Sequence, residues 1–111
     1  MENPKIRVYN LLTSIQGLTV YQFRPDVIAV IPSVTFFIEQ NNPIYELDKL
    51  IGYQDVNAVI DIWAETSSQA GTLLTTIEEK LRGEGIRLVS SGDIPDPDGL
   101  SRITARFNLV I

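Results

Sequence analysis

Three groupings of side chains in this sequence could do chemistry, and all three are built from carboxylates. Glu78, Glu79 and Glu84 are the densest acidic residues, and a carboxylate pair can work as general acid and base. Asp93, Asp96, Asp98 and Gly99 suggest an oxygen-rich cation loop. Asp61 stands alone inside an apolar run, where a charge requires a partner. Histidine and cysteine are both absent, which removes most nucleophile–base pairs, disulfides and transition-metal sites. Lys, Tyr, Ser and Thr are the remaining catalytic types.

None of the three groupings survives as a strong catalytic candidate. The glutamates fall on the polar face of a helix or in its terminal turn, where nothing in the spacing places them in a pocket. A calcium loop of the EF-hand kind needs ligands at alternate positions, Gly at the sixth and Glu at the twelfth. Counted from Asp93, that last position is Thr104, so a solvated turn is expected. Gly83 and Gly85 lack the third glycine and the preceding strand of a dinucleotide fingerprint. They mark a helix end. No catalytic residue, cofactor site or metal site is assigned, and the chain is expected not to be an enzyme. The alternative is a small enzyme or ligand-binding α+β domain working through carboxylates and Tyr.

The elements that position these residues follow from periodicity. Asn3 as cap and Pro4 at the first helical position open a helix expected to reach Ile15, with Val8, Leu11, Leu12 and Ile15 as its apolar stripe. Leu18–Phe23 is a short β-rich run. Val34–Glu39 alternates as a strand, and Gln40–Pro43 has the composition of a turn. Val56, Ala58, Ile60, Ile62 and Ala64 share one face of a further strand, with Val59, Asp61 and Trp63 on the other. The stretch from Val34 to Ala64 is expected to be a long antiparallel hairpin whose tip projects. Thr66 or Ser67 caps a second helix, with Ala70, Leu73, Leu74, Ile77 and Leu81 as its stripe. Ile86–Val89 and Arg102–Ile111 supply the last strands, and Ser90–Gly99 is expected to be a loop.

The whole reads as one domain over residues 1–111, of α+β class. An antiparallel sheet of about four or five strands carries both helices on one face. Two helices cannot cover both sides, yet the far side holds Phe37, Val59 and Trp63. Either another protein covers them, as exposed apolar clusters indicate, or the N-terminal segment around Val20 and Val27 folds over. Asp61 shares that side with Arg102 and Arg106, so a cross-strand ion pair is expected with one of them.

The net charge of −5 disfavours gripping a phosphate backbone and leaves passive passage of DNA open. No run of about 18 apolar residues is present to span a membrane. Nor does the start, Met1 to Lys5, have the basic and apolar blocks of a secretory signal.

In order, the chain shows an N-terminal helix, Pro32-x-Val34-x-Phe36, a polar hairpin and Ile60-Asp61-Ile62-Trp63-Ala64 before a Ser/Thr-capped helix. Gly85-Ile86, Ser90-Ser91-Gly92-Asp93 and Arg106-Phe107 follow. This pattern resembles the tail-completion, or head-to-tail joining, proteins of long-tailed bacteriophages and prophages, which include tail terminators. It departs from that pattern in an unusually apolar Leu18–Ile31 and in Pro95 and Pro97 of the late loop. The resemblance implies a structural virion protein without cofactors, made in the host bacterial cytoplasm. It implies a homo-oligomeric ring, expected to be a hexamer, at the head–tail interface. There it would cap the tail tube and dock the connector while DNA passes through. A ring needs two complementary patches per subunit. The expected ones are the outer sheet face (Phe37, Val59, Trp63) and the hairpin between Asn41 and Tyr53.

Overall fold

The computed structural model describes residues 3–22, 31–46, 49–95 and 99–111, with the backbone alone at 45–46 and 49–52. Helix α1 spans Pro4–Thr13 and α2 spans Ser67–Arg82. Five strands, β1 (Thr19–Gln22), β2 (Ser33–Glu46), β3 (Lys49–Ala64), β4 (Arg87–Ile94) and β5 (Ser101–Val110), form one sheet in the order β1-β2-β3-β5-β4.

Local chemistry sets the helix ends. Asn3 accepts a hydrogen bond from the Lys5 N–H at 3.0 Å, and Pro4 follows at the first helical position. The helix stops short of Ile15, where the backbone tightens, the Ile15 N–H bonding to the Leu12 carbonyl at 3.1 Å, and Gly17 takes the left-handed conformation at φ +80°. For α2, Thr66 accepts from the Gln69 N–H at 3.1 Å, while the Gln69 side chain accepts from the Glu65 N–H at 3.0 Å. The reciprocal bond of a capping box is thus displaced by one residue. At its other end Gly85, at φ +79°, takes the left-handed conformation that lets the Ile86 N–H return to the Leu81 carbonyl at 2.9 Å.

Both helices lie on one face of the sheet. Val8 and Leu12 of α1 join Ala70, Ile77 and Leu81 of α2 in a single core cluster. The sheet contributes Val34, Phe36, Val56, Ala58, Ile60, Ile62, Ala105, Phe107 and Leu109, which alternate toward the helices along their strands. Burial of this kind stabilises by about 25 cal/mol for each Å² of apolar surface removed from water.

Three expectations need correction. The sheet is mixed, because β1 runs parallel to β2 with Val20 opposite Val34. Gln40–Pro43 is strand, not turn, since β2 continues to Glu46. Amide pairing replaces apolar alternation there: Asn41 donates to the Gln54 side chain at 2.9 Å and Asn57 to Gln40 at 3.3 Å. Pro43 is tolerated because Gln54 opposite it directs its own N–H and C=O to Ile111, at 2.7 and 3.0 Å. The missing proline N–H therefore falls on the free edge of β2. Finally, Ser90–Asp93 is strand rather than loop. As an edge strand with mostly exposed side chains, β4 is held by its ladder to β5 and has no apolar pattern to read.

The β2–β3 hairpin outruns its neighbours. β5 ends opposite Asp55, and the last contact on that side is Gln54 with Ile111. Beyond it the pairs Ile44–Tyr53, Tyr45–Leu50 and Glu46–Lys49 form a two-stranded arm. The molecule measures 51 × 27 × 21 Å. At roughly 3.4 Å per residue the arm accounts for on the order of 10 Å of the long axis.

Candidate functional site

The outer sheet face, opposite the helices, divides into a sealed end and an open end. At the sealed end Trp63 is 0% exposed and Val59 3%, and Ser33 and Thr35 are also buried. Phe37, opposite Val59 in register, is half-buried. The expectation that Phe37, Val59 and Trp63 lie bare for a neighbouring subunit is therefore wrong for Val59 and Trp63. Strand alternation reports which side of a sheet a residue takes, and says nothing of what else lies against that side. Part of the cover is Arg102, whose guanidinium carbon sits 5.0 Å from the centre of the Trp63 ring. Val20 is not part of it, because it packs against the helix-side core. Val27, the other residue expected to fold over, lies outside the described residues.

Asp61 is 6% exposed between these two large side chains on β3. Thr104 stands directly opposite it and donates its hydroxyl to Oδ1. Arg102 Nη2 donates to Oδ2 at 3.3 Å. Arg106 reaches instead across β3 to Glu39, at 3.4 Å, with both side chains about half exposed. Each arginine is diagonal to Asp61, so register alone does not choose between them. The choice falls to their other neighbours: Glu39 draws Arg106, and the Trp63 ring supports Arg102. A carboxylate with two donors, one of them charged, is stably held in a site this dry. It has a structural task.

At the open end lie Tyr53, 55% exposed, and Val110, 57% exposed, on the same side of neighbouring strands. Between them and the sealed end runs a belt of amides. Asn108 donates to Asn57 at 3.0 Å and to Asp55 at 2.7 Å, and Asn57 donates to Gln40. Tyr53 also opens the two-stranded arm. The open end thus combines an exposed aromatic residue and an exposed valine with short amide side chains.

No protein-family model and no curated protein matches this sequence.

The enzyme or ligand-binding alternative requires a pocket around Asp61, Tyr53 and Arg106, and Asp61 and Tyr53 do not come together. Asp61 and Tyr53 share a strand and a side but are eight residues apart, on the order of 27 Å along β3. Surface grooves lie beside α1, between α2 and β4, and around Ser67 and Leu100. Of the residues considered for chemistry, Glu78 pairs with Arg82 on the surface of α2 at 3.3 Å. Asp93 is exposed on β4, and Asp96 and Asp98 lie outside the described residues. No described helix is long and apolar enough to cross a membrane.

Sequence reasoning missed four exposed apolar residues. Ile6 (58%) lies on the outward side of α1, and Tyr9 (45%) flanks the Val8–Leu12 stripe with its ring 6.3 Å from that of Phe36. Val89 and Val110 are the others, each 57% exposed.

Proposed function

We propose that this chain is a structural protein that assembles with copies of itself into a ring at the head–tail interface of a long-tailed phage or prophage. The ring caps the tail tube, docks the connector and lets DNA pass. The observation that carries the assembly reading is the β2–β3 arm, which extends past the last contact of β5. A two-stranded hairpin by itself is marginal in water. This one spans a sequence with Ile44, Tyr45, Leu47, Leu50, Ile51 and Tyr53, an apolar content that a solvated loop does not need. A contact with another protein gives such an arm its cover.

The place in the virion rests on the resemblance to tail-completion proteins, carried by Pro32-x-Val34-x-Phe36, Ile60-Asp61-Ile62-Trp63-Ala64 and Arg106-Phe107. A net charge of −5 is compatible with that role, since an acidic channel wall does not hold a passing polyanion. Size-exclusion chromatography with light scattering, on the chain alone and mixed with tail-tube and connector proteins, tests the reading. A ring in either condition supports it. A monomer in both refutes it.

A further inference from the structure

The sheet ends on β4, which among the described residues pairs with β5 alone. Its other side therefore presents backbone N–H and C=O groups along a strand of 8 residues, Arg87–Ile94. Such an edge is a template for a further strand, and proteins commonly guard it with Lys or Pro. Neither occurs in β4, whose register shifts once, between Leu88 and Ser90. Ser90, Ser91 and Gly92 are exposed and small, so an approaching backbone meets little bulk there.

Beside this edge a groove separates β4 from α2, lined by Leu74, Ile86 and Leu88 and by Glu78, Arg82 and Arg87. Leu88 stands opposite the core residue Phe107, which places it on the helix side of the sheet. Leu74 and Leu88 pack against the core yet remain partly exposed. Glu78 pairs through Oε1 with Arg82 at 3.3 Å, while its Oε2 is closed off from water and has no hydrogen-bond partner among the described residues. An unpaired buried carboxylate oxygen is costly, and a charged donor satisfies it best. We propose that β4 and this groove take up an extended segment of another protein, which adds to the sheet as a further strand. In that segment an apolar side chain covers Leu74 and Leu88. A Lys or Arg two residues away, on the order of 7 Å along the strand, donates to Glu78 Oε2. Main-chain bonds supply the affinity and the two side chains the selectivity. The net charge of −5 favours a basic partner. This contact is separate from the β2–β3 arm and stands whether or not copies of the chain form a ring.

Fluorescence anisotropy with labelled synthetic peptides tests the proposal. The parent probe is a capped peptide as long as β4, alternating Thr with Val and carrying Lys in place of one central Val. Two further peptides are N-methylated at every second residue, one on the Thr set and the other on the Val and Lys set. Edge pairing uses the N–H groups of one set only. One methylated peptide should therefore bind at least about tenfold more weakly than the parent, and the other should match it. Any other pattern, or no binding of the parent, overturns the added strand. A peptide with Glu in place of Lys should bind the wild-type chain at least about tenfold more weakly than the parent. That difference should vanish in a Glu78→Gln chain whose circular dichroism is unchanged. A Lys preference that persists in this variant, or none in the wild type, overturns the partner assigned to Glu78.

Discussion

Truncating Trp63 should damage the folded monomer, although the sequence alone marks this residue as an assembly contact. Trp63 has no exposed surface, and Arg102 stacks on it. Replacing a fully buried aromatic residue by Ala removes its transfer free energy and leaves a cavity, a cost of about 3–5 kcal/mol. Small domains have total stabilities of about 5–15 kcal/mol, so the variant loses a large share of its margin. At ~4 °C per kcal/mol for a chain of this size, Trp63→Ala should melt roughly 12–20 °C below wild type. Thermal unfolding followed by far-ultraviolet circular dichroism measures this. Because Trp63 is the single tryptophan, its fluorescence gives an independent check. Emission from a dilute monomer should be blue-shifted, resistant to acrylamide and independent of protein concentration. An unchanged melting temperature, or emission that shifts to the blue only on assembly, would refute the assignment of Trp63 to the interior of its own chain.

Other consequences follow from the same geometry. Asp61→Ala strips the partner from Arg102 and Thr104, and should cost about 1–3 kcal/mol, discounted because the Arg102 side chain keeps 26% of its surface. A double-mutant cycle of Asp61→Ala with Thr104→Val should show a coupling of at least ~0.5 kcal/mol in urea unfolding, and strict additivity would contradict the hydrogen bond. Arg106→Ala removes only the exposed pair with Glu39, and should change stability by less than about 1 kcal/mol, well below the effect of Asp61→Ala. Thr66→Ala deletes the cap of α2 and should cost about 1 kcal/mol, which a Thr66→Ser variant should largely recover.

Much of the architecture was legible where one physical rule dominates. The stripe of Ala70, Ile77 and Leu81 announced α2 because a helix between sheet and solvent must be apolar on one side. Alternation from Ile103 to Leu109 announced β5 for the same reason. Other elements obey rules that leave a weaker trace. β4 is an exposed edge strand whose register comes from its neighbour's backbone. The run from Gln40 to Pro43 is held by amide pairs that look like turn residues until their partners Asn57 and Gln54 are in place. The four residues of β1 carry no mark of whether their neighbour β2 runs parallel or antiparallel.

The candidate site was legible in part. Placing Phe37, Val59, Asp61 and Trp63 on one side of the sheet is a matter of parity, and the structure has them so. Their burial is a matter of what else the chain lays on that side, which parity does not encode. The choice of Arg102 over Arg106 for Asp61 likewise needed the positions of Glu39 and the Trp63 ring. The surface proposed for assembly consequently lies along the sheet from Trp63, at Tyr53 and the arm.

The arm is therefore the element on which the functional account stands, and shortening it is the direct test. A variant in which an Asn-Gly turn replaces residues 44–53 keeps every strand pair made by β5 and the whole helix-side core. Sedimentation velocity of this variant beside the wild-type chain, with tail-tube protein present, should show a ring for the wild type and a folded monomer for the variant. A shortened chain that still sediments as the wild-type ring would contradict the account.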